Sequence, residues 1–300
     1  MFTECSGKIL ILGADGFIGK NVFNGFKESG FDVMGTSRSG KHIQLDIVKD
    51  NWREIIANEC PSVIVNCIAY GNSQNHTCVD KIKKISYDFP KELIEFCHDK
   101  LNLKAFIQLG SSSEYGTNCK GANELFDLNP NSEYSIQKGR LSEFSHGFAY
   151  TFNFPLVYFR LFSVYGEGEH HNRLIPTLVR EASKGKFPLL GSEEVARDFI
   201  HVDDVVKAIK LGIELVDYAK GSIFNICSGQ NITLKQLCEI VQKEFKLKEN
   251  PIFGTRSNHT WDLKYWYGNP SKAKNILGWK PTVSLDTYFA NEFQKIVKYK

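Results

Sequence analysis

The most constraining stretch lies near the amino end, where the apolar run Ile9 to Leu12 stops at Gly13-Ala14-Asp15-Gly16-Phe17-Ile18-Gly19 and passes directly into a helical pattern. A short continuous apolar run bounded by glycine reads as a strand buried on both faces of a parallel sheet. Beyond it Phe17, Ile18, Val22, Phe23 and Phe26 recur at helical spacing, and Gly30 stands where such a helix would end. Each glycine of the loop has a separate use. Gly13 permits the tight turn, Gly16 lets backbone approach a phosphate, and Gly19 lets helix and strand pack closely. A loop at this place aims the helix's first N–H groups at an anion, which makes Gly13, Asp15, Gly16, Phe17, Ile18 and Gly19 candidates for holding a dinucleotide pyrophosphate.

The alternation continues down the chain. Strands are expected over 31–35, 62–66, 105–109 and 156–161, with helices over 90–101 and 134–149 between the later ones. Strand and helix in regular turn specify an α/β fold, a doubly wound parallel sheet with right-handed crossovers. After Tyr165 the pattern loosens into Gly-rich and aromatic-rich segments, with helices over 203–218 and 233–245. This divides the chain into a dinucleotide-binding domain, 1–165, and a smaller C-terminal substrate-binding domain, 166–300, with elements crossing back to the sheet. Asp203 and Asp204 suit the charged first turn of a helix better than catalysis.

Composition excludes several classes. Lys and Arg number 37 against 34 Asp and Glu, so no field gathers nucleic acid and any bound anion must be held locally. No signal-peptide pattern opens the chain and no apolar run is long enough to span a bilayer, which points to a cytoplasmic protein without a membrane partner. Eight cysteines are scattered with no C-x-x-C pair, a pattern of reduced, mostly buried thiols. His76 and Cys78 are close in sequence, but two ligands make no site, and no metal is expected.

The end of the second strand discriminates between dinucleotides. Chains that bind NAD place Asp or Glu there for the ribose 2′-hydroxyl. Here the residues are Gly35-Thr36-Ser37-Arg38-Ser39, with no carboxylate. Ser37 can donate to a 2′-phosphate and Arg38 can offer its fork, so NADP is expected, with NAD the alternative and a solvated loop charge the bland reading of Arg38.

Tyr-x-x-x-Lys occurs twice, at Tyr87–Lys91 and Tyr134–Lys138. Pro90 reads as a helix start, which would keep Tyr87 and Lys91 off a common face. Tyr134 and Lys138 have no breaker between them, and four residues' spacing stacks them. A phenol is a poor base near neutrality, and a neighbouring ammonium favours its ionised form. Just before this segment, Ser111, Ser112 and Ser113 follow the 105–109 strand, at the carboxyl end where open α/β sheets bind ligands. Three hydroxyls there can hold a sugar oxygen.

Together GADGFIG, GSSSEYG and YSIQK resemble the extended short-chain dehydrogenase/reductase family, in particular its nucleotide-sugar epimerases, dehydratases and 4-ketoreductases. The likeness continues through Arg160-Leu161-Phe162-Ser163-Val164-Tyr165-Gly166, Asn172-Arg173-Leu174-Ile175-Pro176, Arg197-Asp198-Phe199-Ile200-His201-Val202, and the ending Asn269-Pro270-Ser271-Lys272-Ala273 to Leu277-Gly278-Trp279. The resemblance implies a Rossmann sheet and catalysis by Ser111, Tyr134 and Lys138. It implies dinucleotide contacts from Asp46, Ile47, Ile68, Ala69, Tyr70, Phe162, Ser163 and Val164, with Lys138 also on the nicotinamide ribose. It implies a nucleotide-sugar substrate on Ser112, Ser113, Asn172, Arg173, Leu174 and Arg197, with Arg197 on the diphosphate, and a homodimer. Two departures narrow it. Ser112-Ser113 stands where dehydratases carry an acid pair, and Ser163 where many epimerases carry Asn. With the NADP signal, these departures bring the chain closest to the CDP-abequose-synthase type of 4-keto-6-deoxy-sugar reductase, with a 4-epimerase as runner-up and a non-catalytic dinucleotide sensor as a third reading.

Overall fold

The computed structural model describes residues 7–71, 78–257 and 262–298. Seven strands, all paired in parallel, form the central sheet in the order Ile223–Ile226, Leu156–Leu161, Ala105–Ser111, Val63–Asn66, Ile9–Leu12, Val33–Ser37, Ile43–Gln44. From Ile9–Leu12 the chain winds outward one way, then returns past its start and winds the other way. This reversal leaves a crevice at the carboxyl ends of the strands.

Successive residues of a strand face opposite sides, and the central strands are apolar at every position because both sides are covered. Ile9, Ile11, Val65 and Ile107 join the helices Phe17–Glu28 and Val202–Glu214 in one buried layer. Leu10, Leu12, Ile64 and Phe106 join Leu93 and Ile94 of helix Phe89–Lys100 and Leu141 of helix Glu133–Phe152 in the other. A third cluster, around Ile175, Leu178, Leu237, Val241 and Phe289, packs the helices Leu174–Ala182, Leu234–Phe245 and Leu285–Lys298 together.

Several boundaries move for physical reasons. The expected 105–109 strand runs on to Ser111, which then caps the turn Ser112–Asn118. Helix Glu133–Phe152 starts in a capping box in which Ser132 and Ser135 each satisfy the other's backbone N–H. The 203–218 helix is broken into Val202–Glu214 and Val216–Ala219. Its cap is His201, whose ring accepts from Asp203 N at 3.2 Å, and Asp203 and Asp204 occupy the first turn. Asp204 also ties down the C-terminal segment, accepting from Thr282 Oγ1 at 2.6 Å and Val283 N at 3.1 Å.

Two expectations are corrected. Pro90 does lie in the first turn of the α-helix Phe89–Lys100, but no break precedes it: Val79–Lys83, the π-helical Lys84–Asp88 and Phe89–Lys100 follow one another directly, and Asp88 has helical backbone angles (φ −62°, ψ −50°). The wider π turn ahead of the proline accommodates its ring and missing N–H. The cysteines are not all reduced. Cys67, Cys78, Cys97, Cys119, Cys227 and Cys238 are free, but Cys60 is disulfide-bonded. His76 also lies outside them. No helix among the described residues is long and apolar enough to cross a membrane.

Candidate active site

The glycine loop closes against the second strand, with Gly13 N donating to Thr36 Oγ1 at 3.3 Å and Ala14 N to Thr36 O at 2.9 Å. Gly13 has a positive φ of 80°, and a Cβ on Gly19 would lie 2.2 Å from the Gly13 carbonyl oxygen, so neither position tolerates a side chain. Gly16 caps helix Phe17–Glu28 with no side chain of its own, and the first turn carries no acid. The open N–H groups and the helix dipole are the donor set that a pyrophosphate requires. The residues present therefore fit a dinucleotide.

Beside the end of the second strand stands a carboxylate from the glycine loop. Asp15 accepts a short hydrogen bond from Ser39 and sits 3.7 Å from His42 Nε2. The Ser39 bond is the main influence holding its carboxyl below the usual carboxylate range. Ser37 is buried and Arg38 exposed. Asp46 anchors the following turn, accepting from Val48 N at 3.0 Å, with Ile47 buried beside it. Ile68 N donates to Asn66 Oδ1 at 3.1 Å, and the Tyr70 carbonyl accepts from Ser86 Oγ at 2.8 Å. Ser163 N bonds the Asp198 carbonyl at 2.9 Å, which joins strand Ser163–Tyr165 to Phe199–His201.

Ser111, Tyr134 and Lys138 meet at the end of the Ala105–Ser111 strand. Lys138 is buried, its Nζ donating to Leu109 O at 2.9 Å and lying 6.0 Å from the Tyr134 ring centre. Burial, partly offset by the Glu114 charge, lowers the Lys138 ammonium to about 8. The Tyr134 hydroxyl is pushed up to about 12, first by loss of water and then by Glu114, against a hydrogen bond from Ser111 and the charge of Arg173. In the protein without ligand, desolvation and the Glu114 charge together outweigh the Ser111 bond and the Arg173 charge, and Tyr134 holds its proton.

The three serines separate in role. Ser111 Oγ accepts from Ser113 N at 3.2 Å and Ser113 Oγ at 2.9 Å, whereas buried Ser112 accepts from Trp266 Nε1 at 3.0 Å. Sequence reading missed the network beneath them. Glu114 accepts from Ser111 N and Tyr158 Oη, both at 2.8 Å, and from Arg160 Nε at 2.6 Å; Arg160 also reaches Tyr115 Oη and Ser142 Oγ. Glu114 and Arg160 are almost wholly buried. Removing either would strand a buried charge at a cost of about 3–5 kcal/mol. The isolated Glu inside GSSSEYG and the Arg inside an apolar strand were the available signals.

On the other side of the crevice, Arg173 is half-exposed, with Glu169 Oε1 3.6 Å away, and its charge reaches both Tyr134 and Arg197. Asn172 and Leu174 are exposed beside it. Arg197 pairs with the well-buried Asp262 at 3.0 Å and lies over the Trp266 ring. Asp198, next to it in sequence, gathers Ser228 N, Gly229 N and Gly268 N instead.

A family model described as the NAD dependent epimerase/dehydratase family matches residues 9–227. The chain belongs to this family. Among curated relatives, UDP-glucuronate 4-epimerase 4 of Arabidopsis thaliana is 24% identical over 93% of this chain and 72% of its own length. dTDP-4-dehydro-6-deoxyglucose reductase of Escherichia coli is 25% identical over 93% and 94%. CDP-abequose synthase of Salmonella typhimurium is 25% identical over 91% and 93%. The solved UDP-glucuronic acid 4-epimerase of Bacillus cereus, in complex with UDP-glucuronic acid and NAD, superposes with a TM-score of 0.81 at 22% identity, covering 98% of this chain and all of that one. The likeness to this structure establishes the Rossmann-like sheet. Membership establishes an NAD(P)-dependent enzyme of the nucleotide-sugar oxidoreductase and epimerase group, as the sequence resemblance implied.

Proposed function

We propose that this family member is an NADPH-dependent reductase that converts a nucleoside-diphosphate 4-keto-6-deoxy-sugar at C4, with Tyr134 as the proton donor. The observation that carries the reading is the meeting of Ser111, a protonated Tyr134 and Lys138 at the carboxyl edge of the sheet. When bound, the dinucleotide supplies hydride to C4. Tyr134 then gives its proton to the developing C4 alkoxide, and Ser111 orients that oxygen by donating to it. Lys138, fixed on Leu109 O, braces the nicotinamide ribose and stabilises the phenolate left behind. Ser37 and Arg38 take the 2′-phosphate. Asn172, Arg173, Leu174 and Arg197 hold the nucleoside diphosphate, with Ser113 beside the sugar and Ser112, bonded to Trp266, supporting that turn from beneath. In this reading residues 1–165 form the dinucleotide domain and 166–300 the substrate domain. The working form is a homodimer.

One observation favours a second reading, a 4-epimerase with tightly held NAD. Asp15 brings a carboxylate to Ser39, in the corner where an acid can bond a ribose hydroxyl. Supplying NADPH with a panel of 4-keto nucleotide sugars separates the two. The reductase reading expects loss of reduced-nicotinamide absorbance in proportion to sugar converted. Interconversion of C4 epimers with no net absorbance change would replace it with the epimerase reading.

A further inference from the structure

Ser113 stands where a simple turn needs only a backbone N–H. Ser111 Oγ is the N-cap of the turn Ser112–Asn118, and the N–H of Ser113 satisfies that cap while Glu114 completes the capping box. The Ser113 hydroxyl makes an additional bond, donating to the same Ser111 oxygen at 2.9 Å. A serine hydroxyl has one proton and two lone pairs. With an N–H and an O–H both pointing at Ser111 Oγ, its acceptor capacity is filled, and its own proton is left to be donated.

We propose that Ser113 is a positioning residue whose hydroxyl turns Ser111 into an obligate donor, aimed at Tyr134 and at the C4 oxygen of the sugar between them. This rests on the reductase reading above and extends it to a residue that acts through Ser111. The direction agrees with the effect of Ser111 on Tyr134, whose ionised form it favours, as a donated hydrogen bond must. Ser112 cannot substitute for Ser113, because its oxygen is buried and receives the Trp266 indole N–H. Without the Ser113 hydroxyl, Ser111 regains a free lone pair and can rotate its proton away. The reacting oxygen then loses part of its oriented donor at the moment negative charge develops.

The test is a double-mutant cycle on the full chain with NADPH and the 4-keto nucleotide sugar that the wild type turns over. Ser113→Ala keeps the backbone N–H and hence the cap, so thermal midpoint and NADPH affinity should stay at wild-type values. We expect kcat to fall roughly 10-fold with KM within about 2-fold, the pattern of an interaction made in the transition state. Ser113→Thr should recover most of the loss. In a Ser111→Ala background the Ser113→Ala change should have no further effect, because there is no hydroxyl left to orient. Wild-type kcat in Ser113→Ala, or the same fractional loss with and without Ser111, overturns the proposal while leaving the reductase reading intact. A wild type inactive towards every 4-keto nucleotide sugar overturns that reading and this inference with it.

Discussion

The two Tyr-x-x-x-Lys segments share one spacing and lie on helices that pack together, yet their surroundings are opposite. Lys138 is buried against the Leu109 carbonyl, and desolvation lowers its ammonium to about 8. Lys91 reaches the surface, where a 2.7 Å bond to Glu95 raises it. The Tyr134 ring lies against Gly71 and its hydroxyl meets Ser111, whereas the Tyr87 ring stacks under the Arg140 guanidinium at 4.3 Å. Helical spacing is common to both, since the π segment carries Tyr87 into the same helical run as Lys91. The difference comes from the Ala105–Ser111 strand, which ends beside one pair and not the other. A motif of this kind is therefore read from the strand end it faces.

The comparison breaks most sharply by deleting one oxygen from each tyrosine. Tyr134→Phe should lower turnover by two orders of magnitude or more, about 2.7 kcal/mol of barrier, with folding and dinucleotide affinity unchanged. Tyr87→Phe should leave turnover within about 2-fold, since it loses no partner in the crevice. Steady-state kinetics on both variants decide it, and near-normal turnover in Tyr134→Phe contradicts the assignment.

A middle-sized effect is expected at the far end of the dinucleotide. Arg38→Ala should weaken NADPH binding about 10-fold or more and NADH binding hardly at all, because only one of them presents a phosphate to the guanidinium. Titration of both reduced dinucleotides checks this. Equal losses would transfer the discriminating role to Asp15, which lies against Ser39 in the same corner.

The smallest effect concerns a carboxyl beside Arg173, the residue whose charge reaches Tyr134. Burial raises Glu169 from 4.5 to about 7, against the pull of Arg173, and leaves its Oε2 without a partner. A raised acid binds more protons folded than unfolded between those two values, so stability falls as pH rises through that window. Glu169→Gln should flatten this slope, measured as chemical denaturation midpoints from pH 4.5 to 7. An unchanged slope would mean that Glu169 ionises normally.

The sheet was legible because buried strands carry uninterrupted apolar runs and a glycine loop can sit only between strand and helix. The meeting of Ser111, Tyr134 and Lys138 was legible for the same reason, since their place at a strand's carboxyl end follows from the alternation. Asp15, Glu114, Arg160 and Trp266 were not assigned these roles. Each acts across the fold, as in the bond from Trp266 to Ser112 or from Arg160 to Glu114, and local periodicity carries no record of such pairing. The expected separation of Tyr87 from Lys91 at Pro90 failed because a π turn runs directly into the helix that the proline begins. The Cys60 disulfide failed because spacing alone does not report pairing.

The central claim is that hydride reaches C4 of a nucleotide sugar while Tyr134 delivers the proton. The most direct measurement supplies NADPH carrying deuterium at its transferable position, with the 4-keto sugar, and locates the label in the product by NMR. The account predicts one deuterium at C4 per NADPH consumed, and none above background with Tyr134→Phe in the same time. Label at another carbon, or a C4-epimerised sugar free of deuterium, would contradict it.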